Sequence, residues 1–344
     1  MKQFDPLFES NHLTVVRWVL ASAVAIGHLW LLTTGYEPFR IHEWTAGYMA
    51  VNGFFVLSGL LIAKSLCTRN DLKAFAVSRT LRIYPALIVI LLAFIFIFAP
   101  LFSEIPGIVR ITDPETWKYA LRVLFLGDPE NAPGVLFPAS LEPEFNGPLW
   151  TIRFELAAYG FAALAFAIGA IKGFWRTLGL FLIVQTAYLV GPYLVDYNQL
   201  PTSLSPFLRL FSAFLMGMTL WHWPAARRPA WWIVAALIGL FIVFGDGPVG
   251  ELLATLSLTA LIMRLGLSHR KIRPLIKLPD YSYGIYIWHY PVMQAVLFFN
   301  PELNSYELGV ISFPLFILVS AMSWHLIEKP FLKLKPGRKK LNIP

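Results

Sequence analysis

Residues 14–34 read TVVRWVLASAVAIGHLWLLTT, an apolar run broken by two ionisable side chains, Arg17 and His28. A helix needs about 20 mainly apolar residues to cross a bilayer, and this run is long enough. The same run carries groups that hydrocarbon tolerates poorly, so each is a functional candidate as well as a structural puzzle. Arg17 and His28 are eleven residues apart. At about 100° per residue they end roughly 20° beyond three full turns, so both face the same way, about 16 Å apart along the axis. The plain alternatives are an arginine that snorkels to the interface and a histidine that is hydrogen-bonded in packing.

Similar runs recur along the chain, near 14–34, 46–66, 81–101, 148–171, 174–194, 207–223, 230–245, 248–266, 281–299 and 307–327. The 344 residues are 57% hydrophobic and 14% charged, with mean hydropathy +0.62. A soluble domain has about 45–50% apolar and about 25% charged residues. The expectation is therefore an all-α fold, a polytopic bundle of about ten transmembrane helices. It forms one domain over residues 1–344, spans falling between about 14 and 328, with no room for a soluble extra domain. Acidic residues precede the first run, which does not read as a cleaved signal peptide. The single cysteine, Cys67, forms no internal disulfide and no cysteine-based metal site. No metal and no glycine-rich nucleotide loop is expected.

Ten spans put both termini on one side, and basic residues mark the cytoplasmic side. With the termini cytoplasmic, inside loops and adjoining helix ends hold 22 of the 28 basic residues and 5 of the 20 acids. The formal charge of +8 is thereby explained as orientation and contact with anionic lipid, including a basic tail at 329–344, with no nucleic acid as partner. The large loop at about 102–147 lies outside, rich in Pro, Gly and acids, and is too long for a plain connector.

The fourth span opens with Gly147-Pro148-Leu149-Trp150-Thr151-Ile152-Arg153-Phe154-Glu155, where Pro148 suits a first helical turn. By helix rise Glu155 lies about 12 Å deep and His28 about 9 Å from the outer end of its own span. A histidine and a carboxylate at matched depth are the parts of an oriented general base. On the cytoplasmic side, Asn70 and Asp71 are placed to cap a short amphipathic helix leading to Arg79 and Arg82, with Pro85 opening the third span. Arg79 and Arg82 stand at i,i+3, a phosphate clamp or simple positive-inside charge. Asn52–Gly59 is rich in small residues, which suits close helix packing or the passage of a ligand's narrow arm. His289, in Asp280–Pro291, and the Trp324–Phe331 stretch read as aromatic packing and an interfacial stop.

These segments, in this order, resemble the acyltransferase-3 family of integral membrane O-acyltransferases. The resemblance rests on Arg17 with ten residues before His28, on Phe54-Phe55-Val56-Leu57-Ser58-Gly59, on Arg79-x-x-Arg82-Ile83-Tyr84-Pro85 and on Leu149-Trp150-Thr151-x-x-x-Glu155. Ser282–His289 and Ile327-Glu328-Lys329-Pro330 complete it, so that it covers about residues 14–331. The chain departs from the family pattern at Arg153, where an uncharged residue is common. The resemblance implies transfer of an acyl group, often acetyl, from cytoplasmic acyl-CoA to a hydroxyl of a glycan, glycolipid or similar lipid-linked envelope acceptor. That is O-acetylation, a polysaccharide modification, at a bacterial cytoplasmic (inner) membrane. His28 would be general base or transient acyl carrier, with Glu155 and Arg17 beside it in the catalytic set. Arg79, Arg82, Ser58, Gly59 and Tyr84 would hold the donor, Trp150 and Arg153 the acceptor. The resemblance leaves an oligomer open. The competing class is a proton-coupled secondary transporter built on His28 and Glu155, which would have no use for a coenzyme phosphate clamp at Arg79 and Arg82.

Overall fold

The computed structural model describes residues 8, 11–103, 107–133, 137, 140–142, 144–194, 201–268 and 270–336. The described residues are mainly helical: α1 (Leu13–Thr34), α2 (Ala46–Arg69), α3 (Leu72–Ala93), α4 (Ala99–Phe102), α5 (Gly107–Thr112), α6 (Pro114–Leu126), α7 (Ile152–Ala167), α8 (Phe174–Leu194) and α9 (Leu204–Trp221). There follow α10 (Trp231–Phe244), α11 (Gly247–Gly266), α12 (Arg273–Ile276), α13 (Ser282–Phe299), α14 (Ser305–Ser323) and α15 (Lys329–Lys333). One small antiparallel hairpin pairs β1 (Arg40–Ile41) with β2 (Trp44–Thr45). Each of the ten predicted spans falls on a helix. Eight are long and apolar enough to cross a membrane by length and composition; α10 has 14 residues and α13 has 18. Large apolar side chains stand exposed around these helices, Trp175 and Val310 among them, as lipid-facing surface requires. The chain is a polytopic helical membrane protein.

It divides into two compact units. The first comprises Met1–Gly27, Glu37–Asn70 and Phe154–Pro279. Within it, α2 and α9 meet at glycines used reciprocally. A Cβ on Gly59 would collide with the Phe214 carbonyl, and one on Gly217 with the Val56 carbonyl. Two backbones in contact need glycine at both points. Polar groups inside this unit are joined in one network. Arg209 Nη1 donates to Asn52 Oδ1 at 2.9 Å, and Asn52 Nδ2 donates to Glu251 Oε1 at 3.1 Å and to Thr255 Oγ1 at 2.9 Å. All four residues are buried, and the Arg209 guanidinium lies 3.7 Å over the Tyr48 ring. An arginine and a glutamate inside an apolar bundle persist only when paired, and Asn52 is the bridge that pairs them.

The second unit comprises His28–Tyr36, Asp71–Arg153 and Asp280–Pro344. Here α3 departs from the sequence expectation. Asp71 accepts from the Ala74 amide at 2.9 Å and caps the helix as anticipated. The helix then runs straight through Pro85 and continues as a π turn over Phe94–Phe98 into α4, an unbroken helical stretch from Leu72 to Phe102. Arg79 and Arg82 therefore ride on the spanning helix, not on a separate amphipathic one. Pro85 forfeits one hydrogen bond inside a helix that packing maintains.

The loop at about 102–147 carries helices of its own among its described residues. It contains α5 and the amphipathic α6, whose N-terminus Asp113 caps and whose end Gly127 turns at φ +62°. Tyr119 of α6 meets Phe94 at 4.8 Å between ring centres, and Phe94 meets Phe145 at the same distance. Residues 104–106, 134–136, 138–139 and 143 of this loop, and 337–344 of the basic tail, lie outside the described residues. Helices α13 and α14 close on one another where Gly284 faces Ser320.

Candidate functional site

The second unit brings two membrane histidines together. His28 Nδ1 lies 2.8 Å from His289 Nε2, and the two rings are nearly coplanar, 4° apart. His289 is fully buried, while His28 is half-buried. Tyr290 stands edge-on to His28 at 5.2 Å and Phe316 edge-on to His289 at 6.4 Å, so aromatic walls enclose the imidazoles. The far nitrogen of His289, Nδ1, lies 2.8 Å from the Ile285 carbonyl one turn back.

Pro291 explains how α13 holds this geometry. Proline has no N–H, so it leaves the carbonyl of Ile287, four residues earlier, without its helical partner. Asn146, buried, donates Nδ2 to that carbonyl at 2.8 Å. The 3₁₀ turn Gly147–Thr151 is tied in beside it. Tyr286 donates to the Pro148 carbonyl at 2.9 Å and lies 2.8 Å from the Thr151 hydroxyl. A Cβ on Gly147 would stand 3.6 Å from the Tyr290 ring. The histidine face of α13 and the start of the fourth span are thus one hydrogen-bonded assembly, and Pro148 sits in its first turn as its sequence position implies.

Arg82 Nη2 donates to Asp280 Oδ2 at 3.0 Å, and Nη1 is 3.7 Å from Glu328 Oε2. Ser282 donates to Asp280 and Ser323 to Glu328, completing a cluster that ties α3 to α13 and to the π turn Trp324–Glu328. The guanidinium expected to hold phosphate already has two carboxylates. Arg79 lies over Phe75 at 5.9 Å, one turn nearer the N-terminus of the same helix, and Tyr84 follows on α3. Arg153 Nη2 reaches Glu130 at 3.6 Å, and Trp150 belongs to the 3₁₀ turn. Arg17, Ser58, Gly59 and Glu155 belong to the first unit. There Tyr159 donates to the Glu155 carboxylate from the next turn of α7. Gly59 faces the α9 backbone, so its missing side chain serves helix packing.

His289, Asn146, Asp280 and Glu328 are residues to which the sequence assigned no catalytic or binding role. The signal for His289 was a second histidine in a span. The signal for Asn146 was a polar residue before the fourth span together with a proline that had to leave a carbonyl open. Asp280 and Glu328 stood in the Asp280–Pro291 and Ile327–Pro330 stretches with no role of their own. Among the described residues no group of three or more His, Cys, Asp or Glu side chains is placed to hold a metal.

Comparison with known proteins bears on the chemistry. A family described as acyltransferase domain matches residues 11–325. An O-acetyl transferase of Shigella phage Sf6 is 25% identical over 338 residues, covering 95% of this chain and 97% of the relative. Nodulation protein 10 of Rhizobium leguminosarum bv. viciae is 25% identical over 359 residues, covering 94% of each. Acyltransferase MdmB of Streptomyces mycarofaciens is 28% identical over 158 residues, covering 43% of this chain and 36% of the relative. No solved structure matches.

Proposed function

The chain belongs to the acyltransferase-3 family and is a membrane O-acyltransferase, and we propose that it carries an acyl group, acetyl for preference, from cytoplasmic acyl-CoA to a hydroxyl of an envelope glycan, glycolipid or other lipid-linked acceptor. The observation that carries the site assignment is the His28–His289 pair, with His28 half-buried beside a fully buried partner. Histidine is suited to take a hydroxyl proton near neutral pH, and activation of the acceptor is the step that transfer from a thioester requires.

The end-to-end likeness to a phage protein named for O-acetyl transfer supports acetyl as the group. His28 is the general base or the transient acyl carrier, and Glu155 and Arg17 complete the catalytic set. At the inner face Arg79 meets the donor's phosphates, with Arg82 fixing the helix that presents it and Ser58 and Tyr84 along the donor's path. Trp150 and Arg153 address the acceptor at the outer end of the fourth span. Both termini lie in the cytoplasm and the bilayer is the bacterial inner membrane, an orientation favoured by the placement of 22 of 28 basic residues.

The test is mass spectrometry of surface glycans and lipids from cells with and without the active chain. An acyl mass increment on a hydroxylated envelope component, present only with the chain, identifies the acceptor. Identical spectra in a cell that supplies every envelope acceptor would refute the reading.

A further inference from the structure

We infer that His289 is a positioning residue that holds His28 in its Nδ1–H tautomer, leaving Nε2 of His28 as the lone pair that receives the acceptor's proton. The inference rests on the acyl-transfer reading for its chemistry but on geometry alone for the tautomer. The Ile285 carbonyl can only accept, so the His289 nitrogen 2.8 Å from it, Nδ1, carries a hydrogen. A neutral imidazole has one N–H, so Nε2 of His289 is a lone pair. That lone pair lies 2.8 Å from His28 Nδ1, which must donate to it. The single proton of neutral His28 is thereby spent on Nδ1, and Nε2 is unprotonated. The Ile285 carbonyl cannot reverse its role, and it thereby sets the direction of both hydrogen bonds.

The device does what a carboxylate does in a Ser-His-Asp triad, where the buried acid fixes the imidazole's tautomer. Here the orienting group is a neutral imidazole, which brings no charge into apolar surroundings. The arrangement suits both protonation states of His28, because the imidazolium also donates from Nδ1. In the transfer step the acceptor's O–H bond breaks and its proton passes to Nε2 of His28. The oxygen's electron pair forms the new C–O bond at the thioester carbonyl. The C–S bond then breaks, and the thiolate takes the proton back from Nε2, giving ester and coenzyme thiol. His28 needs an open Nε2 at the start and the same nitrogen protonated midway. His289 excludes the opposite tautomer, in which Nε2 would begin protonated and inert as a base.

The experiment is nitrogen-15 NMR of histidine-labelled full-length protein in lipid bilayers near neutral pH, with His28 assigned by its loss in His28→Gln. The expected spectrum shows His28 protonated at Nδ1 and bare at Nε2. Two substitutions follow. In His289→Gln the side-chain oxygen can accept where Nε2 did, so the tautomer is kept and most acyl transfer survives. In His289→Leu no acceptor remains; His28 moves to Nε2–H, and kcat falls by about 10²–10⁴ with the donor's KM unchanged. A wild-type His28 protonated at Nε2 overturns the inference, and so does His289→Leu with native tautomer and native kcat. Should His289→Leu fail to fold, the wild-type spectrum decides alone. The NMR measurement needs neither donor nor acceptor, so failure of the tautomer assignment and failure of the acyl-transfer reading appear in separate measurements.

Discussion

Arg82 and Asp280, 198 residues apart in sequence, are joined by a hydrogen bond of 3.0 Å between Nη2 and Oδ2, and the same guanidinium reaches Glu328. Glu328 is 2% exposed and the other two side chains under a fifth. The guanidinium holds the two carboxylates together in very little water, and removing it leaves them facing each other.

Arg82→Ala should therefore act first on stability, costing about 3–5 kcal/mol, the usual range when a buried pair loses one partner. Thermal unfolding in detergent measures it. Arg79→Ala should weaken donor binding by about 10–100-fold, the worth of one charge-assisted contact at roughly 1.5–3 kcal/mol. Equal loss of donor affinity in both, with both stable, would return the two arginines to a shared phosphate clamp.

Asn52 holds Arg209 and Glu251 in one network without direct contact between the charges. Asn52→Leu, close in volume, should destabilise the first unit by about 3–5 kcal/mol, since both buried ions lose a partner. Asn52→Leu combined with Arg209→Met and Glu251→Gln should recover much of that loss, because no uncompensated charge is left. Thermal unfolding of the single and triple variants decides it. A triple variant no more stable than the single one would show that the network does more than neutralise charge.

Gly59→Val should separate α2 from α9, because the added carbons fall on the Phe214 carbonyl. Overpacking of this kind costs about 1–3 kcal/mol, and more when the obstacle is backbone. Gly217→Val should do the same from the other side. Unfolding temperature reads both, and a native value for either would mean that the helices part without penalty.

Much of this was legible in the sequence, for physical reasons. Apolar runs of bilayer length betray spans whatever their packing, so every predicted span falls on a helix. Asp71 was readable as a cap because capping is local. What escaped reading was decided by packing. Pro85 suggests a helix start, yet α3 runs through it because the chain in a bilayer has few alternatives to helix. His289 looked like aromatic packing because nothing local reveals that Ile285 accepts from one of its nitrogens and leaves the other for His28. The packing role of Gly59 depends on α9, which is distant in sequence. The ion cluster of Arg82 joins residues from distant parts of the chain, which one sequence cannot bring together.

The orientation has its own test. Reporter fusions after residue 130 should read external and fusions after residue 344 cytoplasmic, as the distribution of basic residues requires. A cytoplasmic signal at 130 would invert the topology and put His28 in the wrong half of the membrane for an external acceptor.

The most direct test of the central claim is the rate of acyl transfer by His28→Ala beside wild type, at equal membrane abundance and with donor affinity measured in parallel. With His28 as the base or acyl carrier, transfer falls by at least about 10²–10⁴ while the donor still binds. Transfer at the wild-type rate in His28→Ala would contradict the account.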